Sequence, residues 1–406
     1  MKNKLKEILY KNNITMELIQ FIKENQINNL QTLKTILETK PYNLKIKEDE
    51  SYPNLFLIHS KEDSDFSIKL VNECNGIILD KNTFKVLCYT FDKCKDDINI
   101  PENMNINDMY FEYALESTLI RAFYYEDKWI FSTKKCIDGN KARWLSLKSF
   151  VELFFDYIKN YDIFQNLNTS YCYSFLLTHP ENNIVVQYNQ INVYHLNTRD
   201  MDTLQEIDIN IGLIKLDRMK IAPENLESML LQISSDKNLC YEGIMFIDSN
   251  YNRWKIRTPA FLYVRSLWGN SNNRFFRYLE LRKDTDLLKE YLNYFPQDKD
   301  NFVNYEVRIS NFAKNLLEYY MAKHITKTNK KLPYYFVKII YELHGEYLKD
   351  RIITDYNKIM LKLLSLDAKK LCYMFNQEEK YNLQLNNMMD ESDNNKLSDN
   401  IEILIM

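Results

Sequence analysis

FEYALESTLIRAFYYEDKWIFSTKKCIDG, residues 111–139, decides the fold class. TLIRAFYY (118–125) and KWIFST (128–133) alternate apolar and polar residues, the period of a strand with two unlike faces. The charged EDK between them suits a tight turn, so the stretch predicts a β-hairpin. It is preceded by Ala114-Leu115-Glu116-Ser117, a small residue and a carboxylate just before a strand.

Working outward, short runs rich in Ile, Val, Tyr and Phe continue the strand texture from about Tyr52 to Arg257. NGIILD (75–80), KVLCYTF (85–91), CYSFLLT (172–178), NIVVQYN (183–189), INVYHL (191–196) and GIMFID (243–248) all read as strands. Helix spacing interrupts them at Leu145–Tyr161 and near Glu224–Ile233. Helical periods also mark residues 1–40, through Leu5, Ile8, Leu9, Leu18, Ile19 and Ile22, and nearly everything after Leu267. Strands with inserted helices, then helices alone, predict an α+β chain: an antiparallel-sheet core and a helical C-terminal domain. The expected boundaries are an N-terminal helical segment at 1–50, the core at 51–262, a helical domain at 263–376 and an acidic mobile tail at 377–406.

Composition narrows the function classes. A net charge of -3 removes a global basic field, so any polyanion site must be local. The cysteines at 74, 88, 94, 136, 172, 240 and 372 have no C-x-x-C spacing, and the histidines at 59, 179, 195, 324 and 344 form no ligand pair. Such scattered thiols read as reduced and intracellular rather than as a disulfide frame or a zinc site. The N-terminal MKNKLKEILYKNN has no apolar core of a signal peptide, and no long apolar run suggests a membrane span. The expectation is a cytoplasmic protein with no membrane partner.

With only six glycines, Gly76 and Gly243, each opening an apolar strand, suggest a close backbone approach or an ordinary turn. Residues 253–279 hold six basic residues (Arg253, Lys255, Arg257, Arg265, Arg274 and Arg277) and no acid, interleaved with Trp, Phe and Tyr. That mixture suits RNA, with charge on phosphates and rings against bases, and makes Arg253, Arg265, Arg274 and Arg277 the RNA-binding candidates. The alternative is a strand and an amphipathic segment whose rings are core.

The order of these pieces (ECNG, FDKC, ALEST with its hairpin, STKK, a strand pair, EGIMFID, WKIR) resembles the phage-type single-strand RNA ligases of the covalent nucleotidyltransferase superfamily and their relatives in large DNA viruses. The resemblance runs from about Asn72 to Arg257 and implies an ATP-grasp-like nucleotidyltransferase core. In that family the lysine of K-x-D-G attacks the α-phosphate of ATP, and AMP then passes to an RNA 5′-phosphate. Here Ala114 falls on that lysine, Glu116 on the aspartate and Ser117 on the glycine. An alanine cannot form a phosphoramidate. The resemblance further implies nucleotide contacts from Lys93, Lys134, Glu242, Lys255 and Arg257, catalytic roles for Glu116 and Lys255, and a Mg²⁺ contact from Glu242. Asn75 replaces an expected arginine and Ser174 an expected glutamate. Lys135-Cys136-Ile137-Asp138-Gly139 ends in D-G one residue too late, a slip that turns a strand side chain to the other face.

Two functions follow. One is an RNA ligase-like nucleotidyltransferase acting on RNA ends with ATP (or another NTP) and Mg²⁺, using a relocated lysine. The other is a degenerate ligase-fold pseudoenzyme that binds RNA or nucleotide as a non-catalytic subunit of a viral RNA-processing or transcription complex. A third, weaker reading makes the helical C-terminal domain a docking surface for other viral proteins.

Overall fold

The computed structural model describes residues 16–95, 106–165, 167–220 and 222–384. The chain divides between Ser266 and Leu267 into two compact units. The expected antiparallel-sheet core and helical C-terminal region are both present.

Helices α1 (Glu17–Glu24) and α2 (Leu30–Leu37) open the described chain, α2 capped by the Asn29 side chain, which accepts the Thr32 N–H at 2.8 Å. Their buried Leu18, Ile22, Leu33 and Leu37 pack onto one face of a four-stranded antiparallel sheet: β1 (Leu44–Glu48), β2 (Leu55–Ser60), β3 (Asn75–Asp80) and β4 (Val86–Cys88), with α3 (Lys69–Glu73) between β2 and β3. β1 lies inside the segment expected to be helical to residue 50, where LKIKE alternates with period two.

β5 (Tyr110–Ala114), β6 (Thr118–Tyr125) and β7 (Lys128–Ser132) contain the opening stretch. The predicted hairpin is present: Tyr125 pairs with Lys128, and the two turn residues Glu126 and Asp127 both take positive φ, +48° and +60°. That is the geometry of a two-residue turn matching the twist of its strands. α4 (Phe150–Ile158) starts at a reciprocal cap between Ser149 and Glu152. β8 (Tyr171–Thr178), β9 (Asn192–Asp200) and β10 (Glu206–Ile207) complete a second sheet in the order β10-β9-β8-β6-β7.

β6 is buried on both faces. Ile120 and Ala122 pack with Leu153 and Phe154 of α4, while Phe123 packs with Leu55, Leu57 and Ile78 of the first sheet. Arg121 faces the same interior, fully buried, and donates to the carbonyl oxygens of Gly76 and Thr133. Gly76 has φ +95°, and a Cβ there would stand 2.7 Å from the Lys134 carbonyl oxygen. This is the close approach its position suggested.

NIVVQYN is a correction. Residues 183–189 form no strand, because the Val185 and Val186 N–H groups donate to the Glu116 carboxylate instead of to a ladder, at 2.7 and 2.8 Å. α5 (Leu226–Ser235) leads to a third, three-stranded sheet, in which β11 (Gly243–Ile247) lies between β12 (Arg253–Arg257) and β5.

The basic run beyond β12 is helical, as α6 (Pro259–Trp268) and α7 (Arg274–Leu281). α8 (Thr285–Tyr294), α9 (Lys299–Tyr320), α10 (Tyr334–Asp350) and α11 (Tyr356–Ser365) follow, as their periodicity predicts. Buried Phe275, Phe302, Phe312, Leu316, Phe336 and Phe375 make the core of the second unit. Residues 377–384, placed by sequence in a mobile tail, are helical; the rest of that tail and residues 1–15 lie outside the described residues. Among the described residues no helix is long and apolar enough to cross a membrane.

Candidate active site

The site is built on one face of the β5–β11–β12 sheet. Gly243 pairs with Ala114 on one side and Arg257 on the other; Met245 pairs likewise with Glu112 and Lys255. Directly paired residues share a face, and side chains alternate along each strand. Arg257, Lys255, Ala114 and Glu112 therefore project together, while Ile244 and Ile256 turn to the opposite side and pack with Ile233 of α5. A Cβ on Gly243 would lie 2.0 Å from the Ile256 carbonyl oxygen, so only glycine permits this pairing.

In front of that face lies a cavity of about 590 Å³, within the size range of small-molecule sites. Ala114, Glu112, Lys134, Glu242, Met245 and Lys255 line it, with an apolar side that includes Phe91, Leu176 and Leu196. Lys134 thus shares one hollow with Glu242 and Lys255, which lie far along the chain from it. Lys134 Nζ stands 5.3 Å from the centre of the Phe91 ring.

Glu242 sits at the edge of β11, where its N–H donates to the Ala114 carbonyl at 2.7 Å. Its carboxylate accepts Lys255 Nζ at 3.0 Å and also the Arg257 Nε–H. Burial pushes this carboxyl up, but the charges and hydrogen bonds of Lys255 and Arg257 outweigh it and hold the group below the usual carboxylate range. Glu116 plays a different part: burial pushes its carboxyl up, and its oxygen pins the Val185–Val186 backbone outside the cavity lining.

The turn after β7 corrects the slipped D-G reading. Thr133 and Cys136 bridge each other, so Lys134 and Lys135 sit on a tight turn rather than alternating along a strand, and both line the cavity. Asp138 of the D-G pair caps a turn at Asn140. Lys93 lies elsewhere: it lines a second cavity with its amine 3.1 Å above the Phe66 ring. Asn75 donates to the Phe91 carbonyl at 3.3 Å. Ser174 is fully buried opposite Arg121, and Leu176, two residues on, lines the cavity.

The RNA candidates divide. Arg253 is 5% exposed and clasps Glu206 at 2.6 and 3.1 Å, so its guanidinium is a structural ion pair rather than a surface contact. Arg265 on α6 contributes positive charge near Glu116. In the second unit, Arg274 stacks 3.6 Å over Trp268 and donates to the Tyr291 hydroxyl, and Arg277 donates to the Leu267 carbonyl and Glu280. Glu112 and Lys135 were missed. Counting back by twos from Ala114 along β5 would have placed Glu112 on the cavity face; nothing local announces the turn that brings Lys135 there.

The chain resembles the ligase-like nucleotidyltransferases. It is 28% identical over 262 residues to the RNA ligase of Rhodothermus phage RM378, a match covering 48% of this chain and 60% of that protein. It is 26% identical over 221 residues to the immediate-early protein ICP-46 homolog of Invertebrate iridescent virus 3, covering 50% of this chain and 47% of that one. The chain therefore spans about half the length of one curated relative and three fifths of the other. The kinship with phage and viral RNA ligase-like proteins read from motif order is borne out. Among solved structures, an archaeal ATP-dependent RNA ligase aligns with 74% of this chain and 82% of its own, at 9% identity and a TM-score of 0.41. A putative ATP-dependent DNA ligase from Aquifex aeolicus aligns with 79% and 80%, at 11% identity and a TM-score of 0.40. No protein-family model matches.

Proposed function

We propose that this protein binds ATP or another nucleotide, or an RNA 5′-phosphate end, in the first cavity and does not charge itself at the motif position. The observation that carries the reading is the cross-strand row Ala114–Gly243–Arg257: the side chain aimed at the cavity where a nucleophile belongs is a methyl group. Lys255 is engaged by Glu242, which suits a cation that holds phosphate more than an amine that attacks it. The apolar wall suits a base, and Lys134, Lys135 and Lys255 suit phosphates.

The donor set does not fit a protein-held Mg²⁺. Both Glu242 oxygens are taken by cations, and among the described residues no group of three His, Cys, Asp or Glu side chains could hold a metal. In this reading the protein acts in the host cytoplasm as the nucleotide- or RNA-binding member of a viral RNA-processing assembly. Viral partners dock on the helical unit, where Tyr334, Val337, Tyr341 and Leu348 are exposed along α10.

Lys134 and Lys135 favour a second reading, an active ligase with a relocated nucleophile, because both reach the same cavity. Incubation with α-labelled ATP or GTP separates the two. The proposal expects nucleotide binding without covalent label, and label appearing in Ala114→Lys. An acid-labile, alkali-stable adduct on the unaltered protein, lost in Lys134→Arg or Lys135→Arg, would establish the second reading instead.

A further inference from the structure

We propose that the second cavity, which shares Phe91 and Arg253 with the first, is a subsite for single-stranded RNA, holding backbone phosphates and one base. It measures about 510 Å³ and is lined by Lys69, Lys93 and Lys95, by the rings of Phe66 and Tyr251, and by Asn72, Asn250 and Asn252. The cations suit phosphates, the Tyr251 ring a base face and the Asn250 amide a base edge, while the Asn72 and Asn252 amide groups already donate to the Phe66 carbonyl and to Asp248.

The cations are positioned before any ligand arrives. Lys93 is held by its backbone N–H, which donates to the Asn72 carbonyl at 2.8 Å, and by the Phe66 ring beneath its amine. Lys95 is fixed beside β12: its N–H donates to the Arg253 carbonyl at 3.0 Å, its carbonyl accepts the Lys255 N–H at 2.9 Å, and its amine lies 5.4 Å from the Trp254 ring centre. Among the described residues neither amine has a carboxylate within ion-pair distance. Cys94, between them, lines the first cavity. The two lysines stand two residues apart, which gives two phosphates separate partners.

The acids in this cavity are already engaged. Glu73 accepts the Glu17 and Leu18 N–H groups at 3.0 and 2.7 Å, Asp92 accepts the Tyr89 hydroxyl, and Glu17 faces Lys69 at 3.9 Å. Burial pushes the Glu73 carboxyl up to about 7, which lessens its repulsion of an anion at neutral pH. Tyr251 takes φ +63°, a conformation a bulky residue rarely adopts and one that recurs at ligand clamps. The subsite does not depend on what fills the first cavity.

The test is fluorescence anisotropy of a labelled 12-nucleotide single-stranded RNA with the full chain, read against salt, beside ATP binding by calorimetry. Lys93→Gln/Lys95→Gln is expected to weaken RNA binding about tenfold or more and to lower the log–log salt slope by about 1.4, at ~0.7 per phosphate on a single strand. ATP binding and the melting temperature should hold. Lys69→Gln, at a side chain 86% exposed, is a second variant safe for folding and should lower the slope by about 0.7. Failure of the unaltered protein to bind the RNA at low salt would overturn the proposal, as would an unchanged affinity and slope in the double variant. Loss of ATP binding with RNA binding intact would make the cavity a free-nucleotide site and overturn it too. RNA binding that falls in the double variant while the unaltered protein binds no ATP supports this subsite and sinks the reading of the first cavity alone.

Discussion

Two regions of this chain are rich in basic residues, and they use them in opposite ways. Around the first cavity, Lys134 and Lys135 of the turn after β7 meet Lys255 and Glu242, which come from a distant part of the sequence and are set side by side by the β11–β12 pair. In residues 253–279 the cations lie close in sequence in an acid-free run, yet the fold divides them. Lys255 and Arg257 share Glu242, while Arg253 goes to Glu206 and Arg277 to Glu280. Charge counted along a chain measures neither field nor function; the acids that neutralise a run lie outside it.

The largest effect expected from breaking this contrast is at Arg253. Arg253→Ala removes the main partner of Glu206, whose side chain is 2% exposed, and leaves a buried carboxylate with Arg199 alone at 3.5 Å. A loss of about 3 kcal/mol in urea unfolding is expected. A variant that unfolds with the stability of the unaltered protein would show that the Arg253–Glu206 pair carries no structural weight.

Next is Gly243→Ala, which drives a methyl into the β12 backbone. Stability should fall by about 2–3 kcal/mol, and nucleotide binding should disappear with the Ala114–Gly243–Arg257 row. Binding that survives the substitution would show that the row does not shape the site.

Glu242→Gln probes the gathered charges directly. It removes the carboxylate that Lys255 and Arg257 share, at a cost of about 2 kcal/mol for a partly exposed group. Because the folded carboxyl is held below its ordinary value, its contribution is present above that ordinary value, 4.5, and is lost as pH falls through the lower, folded one. The unaltered protein should therefore lose stability below pH 4.5 more steeply than Glu242→Gln. Parallel pH curves would deny the coupling.

What the sequence discloses follows from what is local. The 118–133 hairpin was legible because a period of two and a turn are properties of neighbouring residues, and so was the helical texture after Leu267. Ala114's position at a cavity was legible only through motif order, since its partners Gly243 and Arg257 lie across a sheet. The 183–189 stretch was misread because its apolar content matches a strand, while its N–H groups are claimed by Glu116, far away in sequence. Arg121 was unreadable for the same reason: two backbone carbonyls, not a carboxylate, receive its buried guanidinium.

The smallest effect separates the two regions most cleanly. Arg277 donates to Glu280 three residues along α7 at 2.9 Å, with the Glu280 side chain 39% exposed, and to the Leu267 carbonyl at 2.8 Å. A surface pair of this kind contributes well under 1 kcal/mol, and the carbonyl contact adds about 1 more. Arg277→Ala should thus lower stability by about 1 kcal/mol and leave ATP binding untouched, because Arg277 does not line the first cavity. If it instead flattened the salt dependence of RNA binding by about 0.7, as Lys69→Gln should, a cation already held within the protein would still be touching phosphate. The division between gathered and dispersed cations would then be one of degree.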